Sequence, residues 1–226
     1  MDQFFLKVSI MLVPALMAIT CHEVSHGYVA YRFGDDTAKS LGRLTLNPLK
    51  HLDIIGTLMI FIVGIGWAKP VPVNFGNLRH PKRQMIWVAA AGPITNFSLA
   101  AVSALLMRGM QALGDLIGDA SLMQFIVDPM VLMLAFSVYI NLLLAIFNLI
   151  PVPPLDGGRV AVGLLPERQA IAYSRIEPYG MIIIIVLVFF TNLFSYIISP
   201  ALNLGIRLLA GSQSNLVFSV TNLMFK

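Results

Sequence analysis

The stretch MVLMLAFSVYINLLLAIFNLI, residues 130–150, decides the fold because it contains no charged side chain. A helix rises about 1.5 Å per residue, so a stretch of this length can cross the hydrocarbon core of a bilayer, which is about 30 Å thick. The composition agrees: 58% of the 226 residues are hydrophobic and 12% are charged, against about a quarter charged in soluble domains. We therefore predict an all-α polytopic membrane protein built as a single domain.

Apolar stretches on both sides of this one extend the pattern. They cover about residues 4–31, 54–67, 85–107 and 179–198. The stretch 54–67 is short and interrupted by glycines, so we expect it to re-enter the membrane rather than span it. The sequence thus predicts about four to five transmembrane helices and a re-entrant element. Its core covers about residues 4–165, followed by a fifth apolar helix over 179–198 and an interfacial segment over 203–226.

Residues 67–74 follow the short apolar stretch and alternate valine with proline. Within sheets, proline is confined to edges, so this pattern predicts an edge strand. Such a strand could pair with an unwound substrate by strand addition. An ordinary extended loop would show the same pattern.

The basic residues predict the orientation in the membrane. Lysine and arginine concentrate in residues 32–50, 69–83 and 156–177, and such loops are typically cytoplasmic. Residues 109–129 contain acidic residues and no lysine or arginine, which is typical of an outside loop. With four spans and a re-entrant segment, both termini lie outside. The net charge of +4 then reflects membrane topology, and we expect no nucleic-acid partner.

The N-terminal apolar stretch also has the length of a signal-peptide core, over residues 8–19. The residues before it are barely basic, since Asp2 precedes the single Lys7. The pattern of small residues at a cleavage site is poor as well. We expect a retained membrane anchor.

The first apolar stretch contains the motif His22-Glu23-Val24-Ser25-His26. Residues four apart lie on the same face of a helix, so both imidazoles can bind one metal ion. The intervening glutamate can then act as general base on a water molecule, as in zinc proteases. Such a motif can occur by chance, but a charged group near the bilayer centre costs about 3 kcal/mol, so intramembrane ionisable residues usually face a functional site.

A catalytic zinc site commonly has three protein ligands, so a third is needed. His51, His80 and the carboxylates are candidates. Cys21, beside His22, could be a fourth ligand, but it is more typical of a small buried apolar residue. Asp156 stands out because it follows an apolar helix in NLIPVPPLDGGR, residues 148–159. Prolines break the helix there, and unwound backbone at membrane depth is tolerated where it lines a cavity or is buried in protein. The alternative is a turn aspartate that caps the next helix.

These motifs together resemble the site-2 protease family of intramembrane zinc metalloproteases. The resemblance covers roughly residues 8–165. It is carried, in this order, by His22-Glu23-Val24-Ser25-His26, Ala91-Gly92-Pro93-Ile94-Thr95-Asn96, Asn148 and Leu155-Asp156-Gly157. It implies that one zinc ion binds His22, His26 and Asp156, that Glu23 activates water, and that the substrates are membrane proteins or membrane peptides. We expect a compact member without an accessory domain, which selects substrates through its membrane core or a partner.

Two other functions could use the same residues. A metal or proton transporter would also place ionisable side chains in the membrane, but transporters typically show paired repeats, and none is visible in the sequence. A catalytically silent membrane scaffold is the second alternative. Asn148 could donate to the oxyanion of the reaction or hold substrate, or it could form an interhelical hydrogen bond.

Overall fold

A computed structural model of the chain describes residues 2–56, 58, 67–117 and 123–224. Its α-helices in these ranges are α1 (Asp2–Arg32), α2 (Thr37–Ser40), α3 (Pro81–Ile117), α4 (Asp128–Asn148), α5 (Asp156–Leu164), α6 (Glu167–Ser174), α7 (Gly180–Phe190), α8 (Ser199–Ala210) and α9 (Ser214–Met224). Short 3-10 helices lie at Pro48–Lys50, Phe75–Asn77, Glu177–Tyr179 and Gly211–Gln213, and π-helical turns at Met123–Val127 and Phe194–Ile198. The described residues form no strand, and the predicted all-α class is confirmed.

Five helical segments of the described residues are long and apolar enough to cross a membrane. They are Lys7–Arg32, Pro81–Gly114, Phe125–Asn148, Glu167–Phe190 and Phe194–Leu223. The first three coincide with apolar stretches recognised in the sequence. The last two divide the C-terminal part of the chain differently from the prediction.

The predicted helix over residues 179–198 is interrupted. Helix α7 ends at Phe190, and Thr191 is extended, with φ −122° and ψ 166°. The Thr191 hydroxyl donates to the Leu187 carbonyl oxygen, a local hydrogen bond that competes with helical pairing. Within the predicted interfacial segment 203–226, α9 is helical and its Val217 and Val220 are buried, and the interfacial location of the segment stays a prediction.

Residues 67–74 form an extended loop in place of the predicted edge strand. Ala68 makes a single isolated antiparallel bridge to Leu52. Pro70 and Pro72 have no N–H to offer to a neighbouring strand, and the N–H of Val71 donates to a side chain instead. The re-entrant prediction for 54–67 falls mostly on residues 57 and 59–66, which lie outside the described residues.

The chain divides into two compact units. Unit 1 comprises Met1–Ala18, Asn96–Ile146 and Leu193–Lys226, and unit 2 comprises Ile19–Thr95 and Phe147–Asn192. Three of the long helices, α1, α3 and α4, each continue from one unit into the other. The prediction of a single functional domain stays a prediction.

Unit 1 is held together by one large apolar core. Its buried residues come from α1, α3, α4, α8 and α9, and include Met107, Phe136, Leu142 and Ile206. Several core positions are alanines, which let helices in a membrane approach closely. The guanidinium of Arg108 donates to the Leu209 carbonyl oxygen at the end of α8.

Unit 2 has a much smaller apolar cluster. It consists of the buried Ala30, Leu78 and Val88, with Val29, Phe33, Val73 and Phe75 packed against them. This cluster joins the end of α1 to the start of α3 and to the loop before it. The same unit contains the motif His22-Glu23-Val24-Ser25-His26 and Asp156.

Candidate metal centre

Helix α1 presents two histidines on one face. His22 and His26 are one turn apart, and their rings meet edge to face with centroids 4.7 Å apart and planes at 83°. Both side chains are nearly buried, with 8% and 12% of their surfaces exposed. The predicted pairing of the two imidazoles on one helix face is therefore present.

The third candidate metal ligand, Asp156, follows the break after α4. The helix ends at Asn148, the proline-containing segment 149–155 follows, and α5 begins at Asp156 after the extended Leu155 (ψ 158°). The segment wraps tightly around the start of α5, since a Cβ on Gly157 would lie 2.2 Å from the Leu149 carbonyl oxygen. Asp156 occupies the first turn of that helix, where the helix dipole favours a negative charge.

The three side chains converge on one point. Asp156 Oδ2 lies 3.1 Å from His22 Nε2 and 3.3 Å from His26 Nε2. A tetrahedral zinc ion with bonds of about 2.0–2.1 Å has ligand atoms about 3.3 Å apart, so these distances suit zinc. Asp156 Oδ2 is buried and forms no hydrogen bond with the described residues, as expected of an atom that binds a metal.

A carbonyl oxygen sets the protonation of one imidazole. His26 Nδ1 lies 2.7 Å from the Val88 carbonyl oxygen on α3. A carbonyl can only accept, so Nδ1 carries the proton and the lone pair is on Nε2. Such a hydrogen bond orients a metal-binding histidine and raises its basicity. The lone pair of His26 therefore faces Asp156.

Gly92 on α3 leaves room for the histidine rings. A Cβ at this position would lie 2.5 Å from His22 Cε1 and 2.5 Å from His26 Nε2. In the sequence, Gly92 is recognisable only as part of the motif Ala91–Asn96. In the structure it lies against the rings of His22 and His26, where a larger side chain would enter the candidate metal site.

Glu23 lies beside the three candidate ligands and is not part of their group. The group of potential ligand atoms within 4.8 Å of one another contains His22, His26 and Asp156. The half-buried Glu23 carboxylate accepts a hydrogen bond from the Val71 N–H, with Oε2 and the nitrogen 2.8 Å apart. This separation of ligands from the remaining carboxylate matches the roles expected from the motif.

The other candidates from the sequence lie elsewhere or have other partners. His51 is buried, with Nε2 2.8 Å from the Thr45 carbonyl oxygen, and His80 is exposed before α3. Cys21 is half-buried and is not in the ligand group. Asn148 is the half-buried last residue of α4, and its part in the reaction stays a prediction.

A cluster of hydrogen bonds around Asp35, formed with Thr37, Asn74 and Asn77, was not predicted from the sequence. Asp35 follows α1, is fully buried, and accepts hydrogen bonds through Oδ1 from the Thr37 hydroxyl, the Thr37 N–H and Asn77 Nδ2. Its Oδ2 accepts from the Asn74 N–H at 2.8 Å. An aspartate followed two residues later by threonine suggests a local turn, but nothing in the sequence indicates the bonds to residues 74 and 77.

The environment of Asp35 changes its acidity. Burial alone would raise the pKa of this carboxyl, but the hydrogen bonds from Thr37, Asn77 and Asn74 stabilise the ionised form more strongly. The net result is a pKa below the usual range of aspartate. Asp35 is therefore ionised at neutral pH and holds residues 74–77 through its charge.

Comparison with known proteins gives consistent matches. Residues 10–191 match the model of peptidase family M50. YwhC of Bacillus subtilis, named as a zinc metalloprotease, is 42% identical over 91% of this chain and 93% of its own length. Rip2 of Mycolicibacterium smegmatis, named likewise, is 31% identical over 83% of this chain and 66% of its own length. No solved structure matches the chain.

The family match covers both halves of the site. It includes the motif on α1, Gly92 on α3 and the turn that presents Asp156. The similarity to YwhC extends over nearly the full length of both chains. This chain therefore belongs to peptidase family M50, the site-2 protease family that its motifs resemble.

Proposed function

We propose that this chain, an intramembrane zinc metalloprotease of family M50, binds its zinc ion through His22, His26 and Asp156 and uses Glu23 as general base. The observation that carries this proposal is the convergence of three ligand atoms at 3.1 and 3.3 Å in a space that a Cβ on Gly92 would fill. Two imidazoles and one carboxylate are a common ligand set of catalytic zinc.

The residues divide the chemistry between them. Zinc bound at this site supplies Lewis acidity to a water molecule and to the peptide carbonyl. Glu23 accepts a proton from the water molecule while the water oxygen adds to the carbonyl carbon of the peptide. As the C–N bond breaks, Glu23 gives that proton to the leaving nitrogen. Asn148 could donate a hydrogen bond to the carbonyl oxygen as negative charge develops on it.

The substrates are membrane proteins or membrane peptides. A regular helix occupies its own backbone N–H and C=O groups in hydrogen bonds, so a transmembrane substrate has to unwind locally before water can attack. Unwound backbone within a membrane has to be satisfied by protein groups or water. We therefore expect cleavage next to helix-breaking residues of the substrate.

The distribution of basic residues supports an active site near the cytoplasmic face. Residues 32–50 and 69–83 flank the site in sequence and contain eight lysines and arginines between them, which is typical of cytoplasmic loops. Five candidate spans would leave the termini on opposite faces if residues 54–67 do not cross. We propose an outside N-terminus and a cytoplasmic C-terminus, which changes the expectation of two outside termini.

Metal analysis tests the ligand assignment. Purified wild-type protein should contain about one zinc ion per chain, and His22→Ala and Asp156→Ala should lose most of it. Glu23→Gln should retain zinc but fail to cleave a transmembrane peptide. Unchanged zinc in Asp156→Ala would overturn the assignment of the third ligand. Reporter fusions within residues 69–83 that report an outside location would overturn the orientation.

The family match does not favour a transporter or a silent scaffold. The Glu23→Gln variant separates these functions, because a transporter needs no general base. Metal uptake that persists in Glu23→Gln vesicles would indicate transport. A zinc-loaded wild type that cleaves no membrane peptide would indicate a scaffold.

A further inference from the structure

The loop before α3, residues 67–78, meets the general base through one backbone group. The Val71 N–H donates to Glu23 Oε2 at 2.8 Å. A hydrogen bond to an ionised acceptor is about twice as strong as one between neutral groups. The partners are 48 residues apart in sequence, so the loop has to be placed accurately to make this contact.

The local sequence makes Val71 the single donor available at this point. Pro70 and Pro72 flank it, and proline has no N–H. A shift of the loop by one residue in either direction would place a proline against Glu23 and leave the carboxylate without this bond. The prolines also restrict the backbone to extended conformations. The two flanking prolines therefore determine that the N–H facing the Glu23 carboxylate is that of Val71.

The Val71 side chain forms a second contact with the same helix face. Gly27 lies one turn after Glu23 on α1, and residues at this spacing share a face. A Cβ on Gly27 would lie 2.7 Å from Val71 Cγ1, and Val71 is buried, with 6% of its surface exposed. The N–H and the side chain of Val71 thus contact two successive turns of α1.

Other contacts hold the loop on both sides of Val71. The Lys69 N–H donates to the His51 carbonyl oxygen at 2.9 Å. Arg43 Nη2 donates to the carbonyl oxygens of Lys69 and Pro70, at 2.9 and 3.2 Å. On the other side, the Asn74 N–H donates to Asp35. Val71 therefore lies between anchored residues.

From these contacts we propose that the backbone N–H of Val71 is a positioning group for the Glu23 carboxylate. The hydrogen bond fixes Oε2 and leaves Oε1 free to exchange the proton with water and with the leaving amine. The proposal rests on the proposed role of Glu23 as general base. It assigns a specific task in the reaction to the segment Pro70-Val71-Pro72.

An amide-to-ester replacement tests the role of this N–H. Nonsense suppression with the α-hydroxy analogue of valine at position 71 removes the N–H and keeps the side chain. The matched control is the same replacement at Asn74, which removes an N–H that donates to Asp35, a different carboxylate, at 2.8 Å. Cleavage of a transmembrane peptide, zinc content and thermal unfolding are measured for both.

We expect the ester at position 71 to lower kcat by about tenfold to a hundredfold, the effect of one hydrogen bond to a charged group. KM and zinc content should stay at wild-type values, because the Val71 N–H donates to Glu23 and not to any of the three proposed zinc ligands. The ester at position 74 removes one anchor of the same loop, so it should lower the unfolding temperature and should lower kcat less than the ester at position 71 does. An unchanged or increased kcat in the position 71 ester would overturn the proposal.

Measurements on the wild-type protein distinguish failure of the positioning role from failure of the proposed function. If wild-type protein binds zinc and cleaves peptide while the position 71 ester does the same at full rate, only the positioning role fails. If the ester protein does not fold, Val71→Pro and Val71→Ala replace it. Val71→Ala keeps the N–H and should retain most of kcat, whereas Val71→Pro should not. Equal kcat in the two variants would overturn the proposal.

Discussion

The two units bury different kinds of polar side chain. Among the described residues, the buried polar side chains of unit 1 are the neutral Asn96, Ser103 and Asn141. Unit 2 buries the neutral Thr20 and all of the buried ionisable side chains, which are His22, Asp35, His51 and Asp156. In an apolar environment a charge is far more costly to bury than an amide or hydroxyl. In unit 2 that cost is offset where an ionisable group holds a loop, as Asp35 does, and where we propose that such groups bind zinc. Unit 1 relies on apolar packing.

The hydrogen bonds of the two units differ in the same way. In unit 1, Asn96 Nδ2 donates to Asn141 Oδ1 at 2.8 Å, and Asn141 Nδ2 donates to the Ser137 carbonyl oxygen at 2.9 Å. The first bond joins α3 to α4, and the second lies within α4. In unit 2, the carboxylates of Glu23 and Asp35 each accept from backbone N–H groups of the loop before α3. We infer that substitutions in unit 2 disturb the reaction more than comparable substitutions in unit 1.

The largest expected effect is that of Gly92→Ala. The added methyl group would lie 2.5 Å from ring atoms of both His22 and His26, closer than non-bonded atoms can approach. Because the rings cannot keep their positions, we expect zinc affinity to fall by about a hundredfold or more and proteolysis to be lost. Zinc titration of the purified variant measures this.

Gly109→Ala is the matched control on the same helix. Gly109 also lies in α3, but a Cβ there would meet nothing within 4 Å. Replacing a helical glycine by alanine should stabilise the protein by about 0.5–1 kcal/mol. Zinc affinity should stay at the wild-type value. Equal zinc affinities in the two variants would contradict the packing of Gly92 against the ligands.

A smaller effect is expected from Asp35→Asn. The substitution replaces one carboxylate oxygen by an NH₂ group, which faces N–H or O–H donors in this cluster. A buried donor left without an acceptor costs about 1–3 kcal/mol, so the free energy of unfolding should fall by about that amount. Chemical denaturation in detergent measures it. The neighbouring exposed Asp36 is the control, and Asp36→Asn should change stability by less than about 0.5 kcal/mol.

The same cluster predicts a pH dependence. The pKa of Asp35 is below its usual range in the folded protein, so the unfolded chain binds a proton more readily than the folded one. This contribution to stability is complete above the ordinary aspartate pKa, which is about 4, and is lost as the pH falls through the folded pKa. Unfolding measured from pH 7 to 3 should therefore show a steeper loss in the wild type than in Asp35→Asn. Parallel curves would contradict this origin of the effect.

Features of either unit that depend on local sequence could be predicted, whereas features that depend on contacts between residues distant in sequence could not. His22, His26 and Asp156 could be recognised because metal binding needs particular residue types, two of them at helical spacing, and because prolines break an apolar helix directly before Asp156. The spans α1, α3 and α4 follow from hydropathy alone. The interruption at Thr191 does not, because the apolar pattern continues past it while a local hydrogen bond ends the helix.

The missed features depend on contacts distant in sequence. Asp35 accepts hydrogen bonds from Asn74 and Asn77, which are 39 and 42 residues away. No residue type or spacing in the sequence indicates contacts at this separation. Gly92 was recognised as a motif residue, but its contact with two rings on another helix appears only in the packing. Val71 was predicted to lie in an edge strand. The prediction failed because alternating valine and proline is typical of a strand edge and of an anchored loop alike.

The smallest effect is expected in unit 1, from the Asn96–Asn141 pair. Interhelical hydrogen bonds between polar side chains in membranes contribute about 0.6 kcal/mol on average, because the unfolded helices find other partners. A double-mutant cycle with Asn96→Ala and Asn141→Ala should therefore give a coupling energy of about 0.6 kcal/mol, with wild-type zinc content in each variant. The control cycle pairs Asn96→Ala with Ser219→Ala on α9, whose hydroxyl is exposed and donates to the Asn215 carbonyl oxygen, and these should be additive. A coupling above about 2 kcal/mol would contradict the small contribution expected of this bond, and loss of zinc in Asn141→Ala would contradict the difference between the two units.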